Sequence, residues 1–193
     1  MNSAPWVRLP TLHGEFSARV FTVDGVEHLV LTHGEVAGDT PVLVRVHSEC
    51  LTGDVFSSRR CDCGPQLDLA LRKVAAAERG VLIYLRGQEG RGIGLGAKLA
   101  AYALQEKGLD TVDANIHLGL PIDARGYDAA VDILCALGVS RVQLLTNNPD
   151  KLRQMSRSPL EIIERIPLQV PVHEDTRAYL ETKRQRLGHW LEL

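Results

Sequence analysis

The pattern of apolar residues changes partway along the chain, and this change constrains the fold more than any other feature of the sequence. Within Glu15 to His33, two apolar runs flank Asp24-Gly25, a dipeptide that strongly indicates a β-hairpin. Pro41 to Val46 has the pattern of a third strand, and from Pro65 onward helical and strand-like segments alternate. We therefore expect an α/β fold, with α+β as the alternative, in which N-terminal β-hairpins are followed by βα units in one mixed sheet.

The alternating half of the chain divides at glycines and prolines. The predicted order is a helix from Pro65 closed by Gly80, a strand at Val81 to Leu85, a glycine-rich loop at Gly87 to Gly96, a helix from Ala97 to Lys107, a helix from Tyr127 to Leu137, a strand at Val142 to Leu145, a strand near Ile162 and a last helix from Thr176 to Leu187. In such folds the binding loops gather at the carboxyl ends of the strands. The length of 193 residues is that of a single domain.

Composition and charge exclude several functional classes. With 45% hydrophobic and 24% charged residues the chain is typical of a folded domain. Because its net charge is −2, a binding site for a polyanion must be a local cluster of cations, and we expect no nucleic-acid partner. The chain has neither a signal-like N-terminus nor an apolar run of about 18 residues, so we expect a cytoplasmic protein without a membrane partner.

Three of the four cysteines form a cluster with the spacing Cys-x10-Cys-x-Cys, at Cys50, Cys61 and Cys63. In a reducing compartment this spacing favours a zinc site. Three thiolates suggest an open, catalytic site, whereas His47, Asp62 or another nearby group as a fourth ligand would close it as a structural one. Three reduced core cysteines without metal are the weaker alternative. Cys135, which stands apart, is predicted to be a buried helix thiol.

The glycine-rich segment RGQEGRGIGLG follows a strand and precedes a helix, where backbone amides and the helix dipole can receive an anion. It matches neither the P-loop nor the dinucleotide-binding pattern. Neighbouring loops add the cations of Arg45, Arg91 and Lys151 and the hydroxyls of Thr111 and Thr146. Together these groups are suited to hold a triphosphate.

Seven segments in order, RVHSECLTGD, RCDCG, QEGRGIGL, AYALQ, DTVDAN, DARGYDAA and LLTNNPDK, resemble those of GTP cyclohydrolase II. The resemblance extends over nearly the whole chain, and it implies one GTP cyclohydrolase II domain over residues 1–193. The chain looks like the stand-alone enzyme, without the dihydroxybutanone-phosphate synthase domain that is fused to it in some organisms.

The resemblance implies roles for individual residues. Cys50, Cys61 and Cys63 match the zinc ligands of the family. Asp123 matches the position assigned as proton acceptor, Arg125 the one proposed as nucleophile towards the α-phosphate, and Tyr102 a tyrosine near the scissile ring. The positions that match GTP contacts are Arg45, Val46, His47, Ser48, Glu49, Gln66, Glu89, Gly90, Arg91, Thr111, Thr146 and Lys151.

Physical chemistry adds to these roles. Guanine is commonly distinguished from adenine by a carboxylate that accepts its N–H protons, for which Glu49 and Glu89 are candidates. A guanidinium stays protonated and is a poor nucleophile, so Arg125 is better suited to stabilise charge. The sequence departs from the family pattern at two positions. Gly87 follows Arg86, which affects the length of the phosphate loop, and Ala100 replaces an arginine, which removes one cation.

The implied reaction is zinc-dependent hydrolysis of GTP at C8 of guanine. It releases formate and pyrophosphate and leaves 2,5-diamino-6-ribosylamino-4(3H)-pyrimidinone 5′-phosphate, the first step of riboflavin biosynthesis. The implied cofactors are one Zn²⁺ per subunit and Mg²⁺ with the triphosphate, and the implied assembly is a homodimer. Two alternatives stay open: a paralogue that stops at the formamide intermediate, and a GTP-binding regulator without turnover.

Overall fold

The computed structural model describes residues 2–193, apart from the side chain of Asn2. The strands are β1 (Asn2–Ser3), β2 (Val7–Thr11), β3 (Gly14–Val23), β4 (Val26–His33), β5 (Val42–Ser48), β6 (Gly80–Leu85), β7 (Arg141–Leu145) and β8 (Glu161–Ile166). The helices are α1 (Leu51–Asp54), α2 (Cys63–Ala76), α3 (Glu89–Gly92), α4 (Leu95–Gln105), α5 (Thr111–His117), α6 (Asp128–Ala136), α7 (Pro149–Met155) and α8 (Glu174–Leu187).

All eight strands belong to one mixed sheet. Its order is β1-β3-β4-β6-β5-β7-β8, with β2 paired to β3. The strands from β1 to β4 pair antiparallel, and β4 pairs antiparallel with β6. In contrast, β6, β5, β7 and β8 are mutually parallel, so their carboxyl ends meet at one edge. The expected α/β class with N-terminal hairpins and later βα units is confirmed.

The predicted hairpin at Asp24-Gly25 is confirmed by its backbone geometry. Val23 pairs with Val26, which leaves a two-residue turn between β3 and β4. Both turn residues have positive φ, 49° at Asp24 and 77° at Gly25. This is the type I′ geometry whose twist matches that of the strands.

The central strands are buried on both faces. One face packs against the helices α6 and α7 through Ile133, Leu134 and Met155. The opposite face packs against α2 through Ala70 and Val74. Strands that are covered on both sides need continuous apolar sequence, which accounts for Val81 to Leu85 in β6 and for Val42 to Val44 in β5.

Several predictions about elements need correction. The helix α2 begins at Cys63 rather than Pro65 and ends at Ala76. Gly80 is instead the first residue of β6, at a position where a Cβ would lie 2.8 Å from the side chain of Val74. The predicted glycine loop contains α3 and the start of α4. Cys135, predicted to be buried, is exposed on α6. The short helices α1, α5 and α7 were not predicted, and one domain over 1–193 stays a prediction.

Among residues 2–193, no helix is both long enough and apolar enough to cross a bilayer.

Candidate active site

Two adjoining cavities open at the carboxyl ends of the parallel strands. We call the first the anion cavity, because five cationic side chains line it: Arg45, Arg91, Arg125, Lys151 and Lys183. We call the second the thiol cavity, because Cys50, Cys61 and Cys63 line it. Both cavities are lined by Cys50, Cys63, Arg91 and Tyr179, so two of the three thiols lie at the junction of the cavities.

The three predicted zinc ligands come together. The Sγ atoms of Cys50, Cys61 and Cys63 all lie within 4.8 Å of one another, and those of Cys50 and Cys61 are 3.7 Å apart. Sulfurs at the corners of a zinc tetrahedron, with Zn–S about 2.3 Å, stand about 3.8 Å apart. The cluster therefore has the dimensions of a metal site.

Two glycines allow the thiols to approach. A Cβ on Gly53 would lie 2.9 Å from the sulfur of Cys61 and 3.2 Å from that of Cys50. A Cβ on Gly64 would lie 2.3 Å from the carbonyl oxygen of Gly53. Because neither position has room for a side chain, α1 can pack directly against the start of α2, where Cys63 lies.

The pKa values of the three thiols are consistent with a site that binds a metal cation. Hydrogen bonds from the neighbouring thiols, with further help from Lys98, lower the pKa of Cys50. The same coupling to Cys50 raises the pKa of Cys61 to about 11 and raises that of Cys63 as well. Without a metal the cluster thus favours one thiolate, and a divalent cation would allow all three to ionise.

Neither protein candidate for a fourth ligand is available. The Nε2 of His47 lies 3.0 and 3.1 Å from the two carboxylate oxygens of Asp54, and its ring stacks on Tyr84. Asp62 accepts hydrogen bonds from Lys183 on one oxygen and from Gln66 on the other. Within the described chain, the cluster of potential metal ligands at this place contains the three thiols alone.

Arg45 and Lys151 are buried cations at the base of the anion cavity. Arg45 donates to the carbonyl oxygen of Leu145 and to Gln66, and burial lowers its pKa to about 10. Lys151 donates to the carbonyl oxygen of Val46, and burial together with the charge of Arg45 lowers its pKa. Burying cations beside one another is costly, so the arrangement favours an anionic ligand.

Arg91 lacks hydrogen-bond partners where it is buried, and its guanidinium carbon lies 5.8 Å from the centroid of the Tyr179 ring. It is 8% exposed, and both of its terminal nitrogens, Nη1 and Nη2, are without a hydrogen bond among the described residues. Its backbone has φ 64°, in the left-handed region that non-glycine residues rarely adopt. A strained backbone holding an unpaired guanidinium in a cavity is typical of a ligand-binding position.

Arg125 and Asp123 form a bidentate pair at the edge of the anion cavity. The Nε of Arg125 donates to Asp123 at 2.8 Å, and Nη2 donates to the second oxygen. Burial opposes the charge of Arg125, but the pairing with Asp123 raises its pKa above the ordinary value. The guanidinium is therefore held as a cation.

Tyr102 and Thr111 line the thiol cavity together with Gly90. Burial raises the pKa of Tyr102 to about 12, so its hydroxyl stays protonated at neutral pH. Arg60 stacks over the Tyr102 ring, with its guanidinium carbon 4.8 Å from the centroid. This places a proton donor in the cavity that contains the sulfurs.

The structure brings most of the predicted site residues to these two cavities. The predicted residues that line the anion cavity are Arg45, His47, Ser48, Glu49, Cys50, Cys63, Gln66, Arg91, Arg125, Thr146 and Lys151. The side chain of Val46 is instead fully buried in the core. Glu89 is engaged inside the protein, by the backbone N–H of Leu51 at 2.6 Å and by Lys98 at 2.7 Å.

Sequence reasoning missed several residues at the site. Lys98 donates to Cys50, and Gln88 accepts from Ser48 and donates to the carbonyl oxygen of Gly126. Tyr179, Lys183 and His189 reach the cavity from the C-terminal region. Lys98 and Tyr102 lie four residues apart on α4, a spacing that places both on one face and was a usable signal.

The fold and the site define a class: an α/β protein with a potential metal-binding thiol cluster beside a cavity for a polyanionic ligand. Residues 2–167 match the family model of GTP cyclohydrolase II. The chain therefore belongs to the GTP cyclohydrolase II family, and the resemblance drawn from its motifs is confirmed.

Two curated relatives have the name riboflavin biosynthesis protein RibBA. The one from Mycobacterium tuberculosis (strain ATCC 25618 / H37Rv) is 58% identical over 94% of this chain and 44% of its own length. The one from Chlamydia trachomatis serovar D is 51% identical over 96% of this chain and 44% of its own. The chain thus spans under half the length of these relatives.

A crystal structure of RibBX, a two-domain 3,4-dihydroxy-2-butanone 4-phosphate synthase from A. baumannii, is similar at 19% identity and a TM-score of 0.45. The similarity covers 88% of this chain and 40% of that chain.

Proposed function

We propose that this chain hydrolyses GTP at C8 of guanine, releasing formate and pyrophosphate and leaving 2,5-diamino-6-ribosylamino-4(3H)-pyrimidinone 5′-phosphate. The family supports the activity, and the printed name of the relatives supports a place in riboflavin biosynthesis. One observation carries the proposal: a three-thiol cluster opens onto a cavity where buried guanidinium nitrogens of Arg91 have no partner.

The donor set of Cys50, Cys61 and Cys63 suits Zn²⁺, which prefers thiolate ligands and keeps one position open in catalytic sites. When bound, zinc would supply Lewis acidity and lower the pKa of water, so that a nucleophile exists at neutral pH. Mg²⁺ with the triphosphate is the second proposed metal, as in most phosphoryl chemistry.

The residues of the anion cavity bind and orient the triphosphate. Arg45 and Lys151 lie at its base and Arg91 at the junction with the thiols, so the phosphates occupy the anion cavity and the purine points towards the sulfurs. Arg125, held as a cation by Asp123, stabilises charge that develops at the phosphate when pyrophosphate leaves.

Two further residues act on the base. Glu49 lines the anion cavity directly before Cys50, which lines both cavities. The described residues use one of its oxygens, as acceptor for the N–H of Gln88, which leaves the other for guanine. Glu89 already accepts hydrogen bonds from Lys98 and from the backbone N–H of Leu51. Its role is therefore to position the residues beside the thiols rather than to bind guanine. Tyr102, protonated beside the thiols, donates a proton to the nitrogen that leaves on ring opening.

The test is a balance of products from GTP. Formate, pyrophosphate and the pyrimidinone should form in equal amounts, and Cys61→Ser should abolish formate release. Cys135→Ser is the matched control, because Cys135 is exposed and lies outside the cluster. Full turnover by the Cys61→Ser variant would refute the proposed function.

Mass spectrometry of the product separates the alternatives. A product that retains the formyl group would identify a paralogue that stops at the formamide. Tight GTP binding without formate would identify a regulator.

The proposed assembly is a cytoplasmic homodimer. It is supported by exposed apolar side chains on the contacting helices α4 and α5, where Leu99 is 50% and Ile116 59% exposed. Sedimentation equilibrium should give twice the mass of one chain for the native protein and the mass of a single chain for Leu99→Glu.

A further inference from the structure

The C-terminal helix α8 forms one wall of the anion cavity, although it lies beyond the part of the chain that matches the family. Tyr179 and Lys183 line the cavity, and they are four residues apart, which places them on one helix face. Leu180, on the adjoining face, is 3% exposed and anchors the helix. Arg184 and Arg186 face outward and are exposed.

The chain beyond α8 also returns to the site. Gly188 ends the helix in the left-handed conformation, with φ 66°, and the turn directs His189 into the anion cavity. The backbone N–H of Trp190 then donates to the carbonyl oxygen of Asn147 at 3.0 Å. Asn147 follows Thr146 in the turn after β7, so the C-terminal segment is attached to a loop that carries predicted GTP contacts.

Lys183 is a fixed cation in this wall. Its Nζ donates to Asp62 at 2.6 Å and lies 4.6 Å from the centroid of the Tyr179 ring. Asp62 is 3% exposed and also accepts from Gln66, so it is a rigid partner. An ammonium has three donors, and Asp62 is the one hydrogen-bond acceptor that the described residues provide for it.

The charge balance of the cavity leaves room for an anion. Arg45, Arg91 and Lys151 have no carboxylate within ion-pair distance among the described residues, while Lys183 and Arg125 have one each. His189, beside these cations, is held neutral: burial and the charge of Lys183 lower its pKa to about 3. Among the residues that line the cavity, five basic side chains are thus accompanied by one carboxylate, that of Glu49.

We propose that Lys183 is a further nucleotide-binding residue, whose ammonium contacts a phosphate oxygen of the substrate while Asp62 holds it in position. This inference rests on the proposed function for the identity of the nucleotide. It adds the C-terminal helix to a site otherwise built from the loops of the matched region.

The experiment measures binding rather than turnover. Affinities of a non-hydrolysable GTP analogue, guanosine and inorganic triphosphate are determined by calorimetry for the native protein, Lys183→Met, Lys183→Arg and Arg186→Met. Arg186 is the matched control, because it also pairs with carboxylates, those of Asp110 and Asp113, but lies outside the cavity.

We expect Lys183→Met to lower the affinities for the GTP analogue and for inorganic triphosphate about tenfold or more. Guanosine affinity and zinc content should change less than twofold, Lys183→Arg should restore part of the loss, and Arg186→Met should bind like the native protein.

Equal weakening of guanosine and triphosphate, an equal effect of Arg186→Met, or native affinity in Lys183→Met would overturn the inference. Inorganic triphosphate has no base. Weaker binding of triphosphate by Lys183→Met would therefore support the contact between Lys183 and a phosphate oxygen even if the native protein released no formate. Failure of the proposed function would therefore be seen separately.

Discussion

The ammonium of Lys98 lies 3.0 Å from the sulfur of Cys50 and 2.7 Å from the carboxylate of Glu89. It therefore connects the thiol cluster to the loop after β6. Lys98 is 7% exposed, and it stabilises the thiolate form of Cys50. The thiol cluster is thus supported by a buried cation from α4 as well as by the segment that carries the cysteines.

Gly53→Ala should weaken zinc binding at least tenfold, because the new methyl group would overlap the sulfurs of Cys61 and Cys50. The backbone of Gly53 does not have positive φ, so the effect comes from contact alone. Gly96→Ala is the matched control: nothing lies within 4 Å of its Cβ, and it should stabilise α4 by about 0.5–1 kcal/mol. Competition with a chromophoric chelator measures the first effect and thermal unfolding the second.

Arg91→Met should weaken binding of a GTP analogue about 10- to 100-fold while leaving the free energy of unfolding unchanged or raised. The reason is that, among the described residues, the two terminal nitrogens of Arg91 are buried without hydrogen-bond partners, so in the ligand-free protein the desolvated guanidinium is stabilised by its contact with the Tyr179 ring alone. Calorimetry measures the affinity for the GTP analogue, and urea denaturation measures the free energy of unfolding.

Arg79→Met is the control for Arg91→Met. Arg79 also has a buried nitrogen without a partner, but it lies before β6, at the opposite end of the strand from the cavity. It should bind the analogue normally; a binding loss equal to that of Arg91→Met would contradict the assignment.

Asp123→Asn should reduce kcat less than Arg125→Met, by about tenfold against about a hundredfold. Asp123 orients a guanidinium that stays charged without it, whereas removal of Arg125 removes the charge itself. Steady-state kinetics give the two ratios. A nucleotide adduct on Arg125, found by intact-protein mass spectrometry after a single turnover, would show instead that Arg125 is a nucleophile.

His189 should make the ligand-free protein less stable in acid. Its pKa is about 3 in the folded state against an ordinary 6.5. Between these values the unfolded chain binds a proton that the folded chain does not, so stability falls as the pH is lowered from 6.5 towards 3. Urea denaturation over this range should show a flatter profile for His189→Gln.

Bound triphosphate should raise the pKa of His189, since it neutralises the cations that depress it. An NMR titration of the imidazole would detect this. An unchanged pKa would place the anion elsewhere.

Much of the fold follows from local patterns. The hairpin at Asp24-Gly25 and the strand at Val81 to Leu85 were predictable because turn chemistry and continuous apolar runs are local signals. The start of α2 was not, because the packing of Gly64 on Gly53 decides it, and these residues are brought together only by the tertiary fold. The exposed position of Cys135 likewise depends on which face of α6 meets the sheet.

The thiol cluster was predictable from spacing and family resemblance, whereas the wall formed by α8 was not. Lys183 lies 121 residues from Asp62, and no motif marks it. A long-range ion pair of this kind is visible only in three dimensions.

We propose that three thiolates hold one metal ion with an open position facing the nucleotide cavity. X-ray absorption at the zinc edge of the zinc-loaded protein tests this most directly. The spectrum should show three sulfurs at about 2.3 Å and one oxygen at about 2.0–2.2 Å from the zinc. A shell closed by a fourth protein ligand, such as an imidazole, or the absence of zinc from fully active protein, would contradict the proposal.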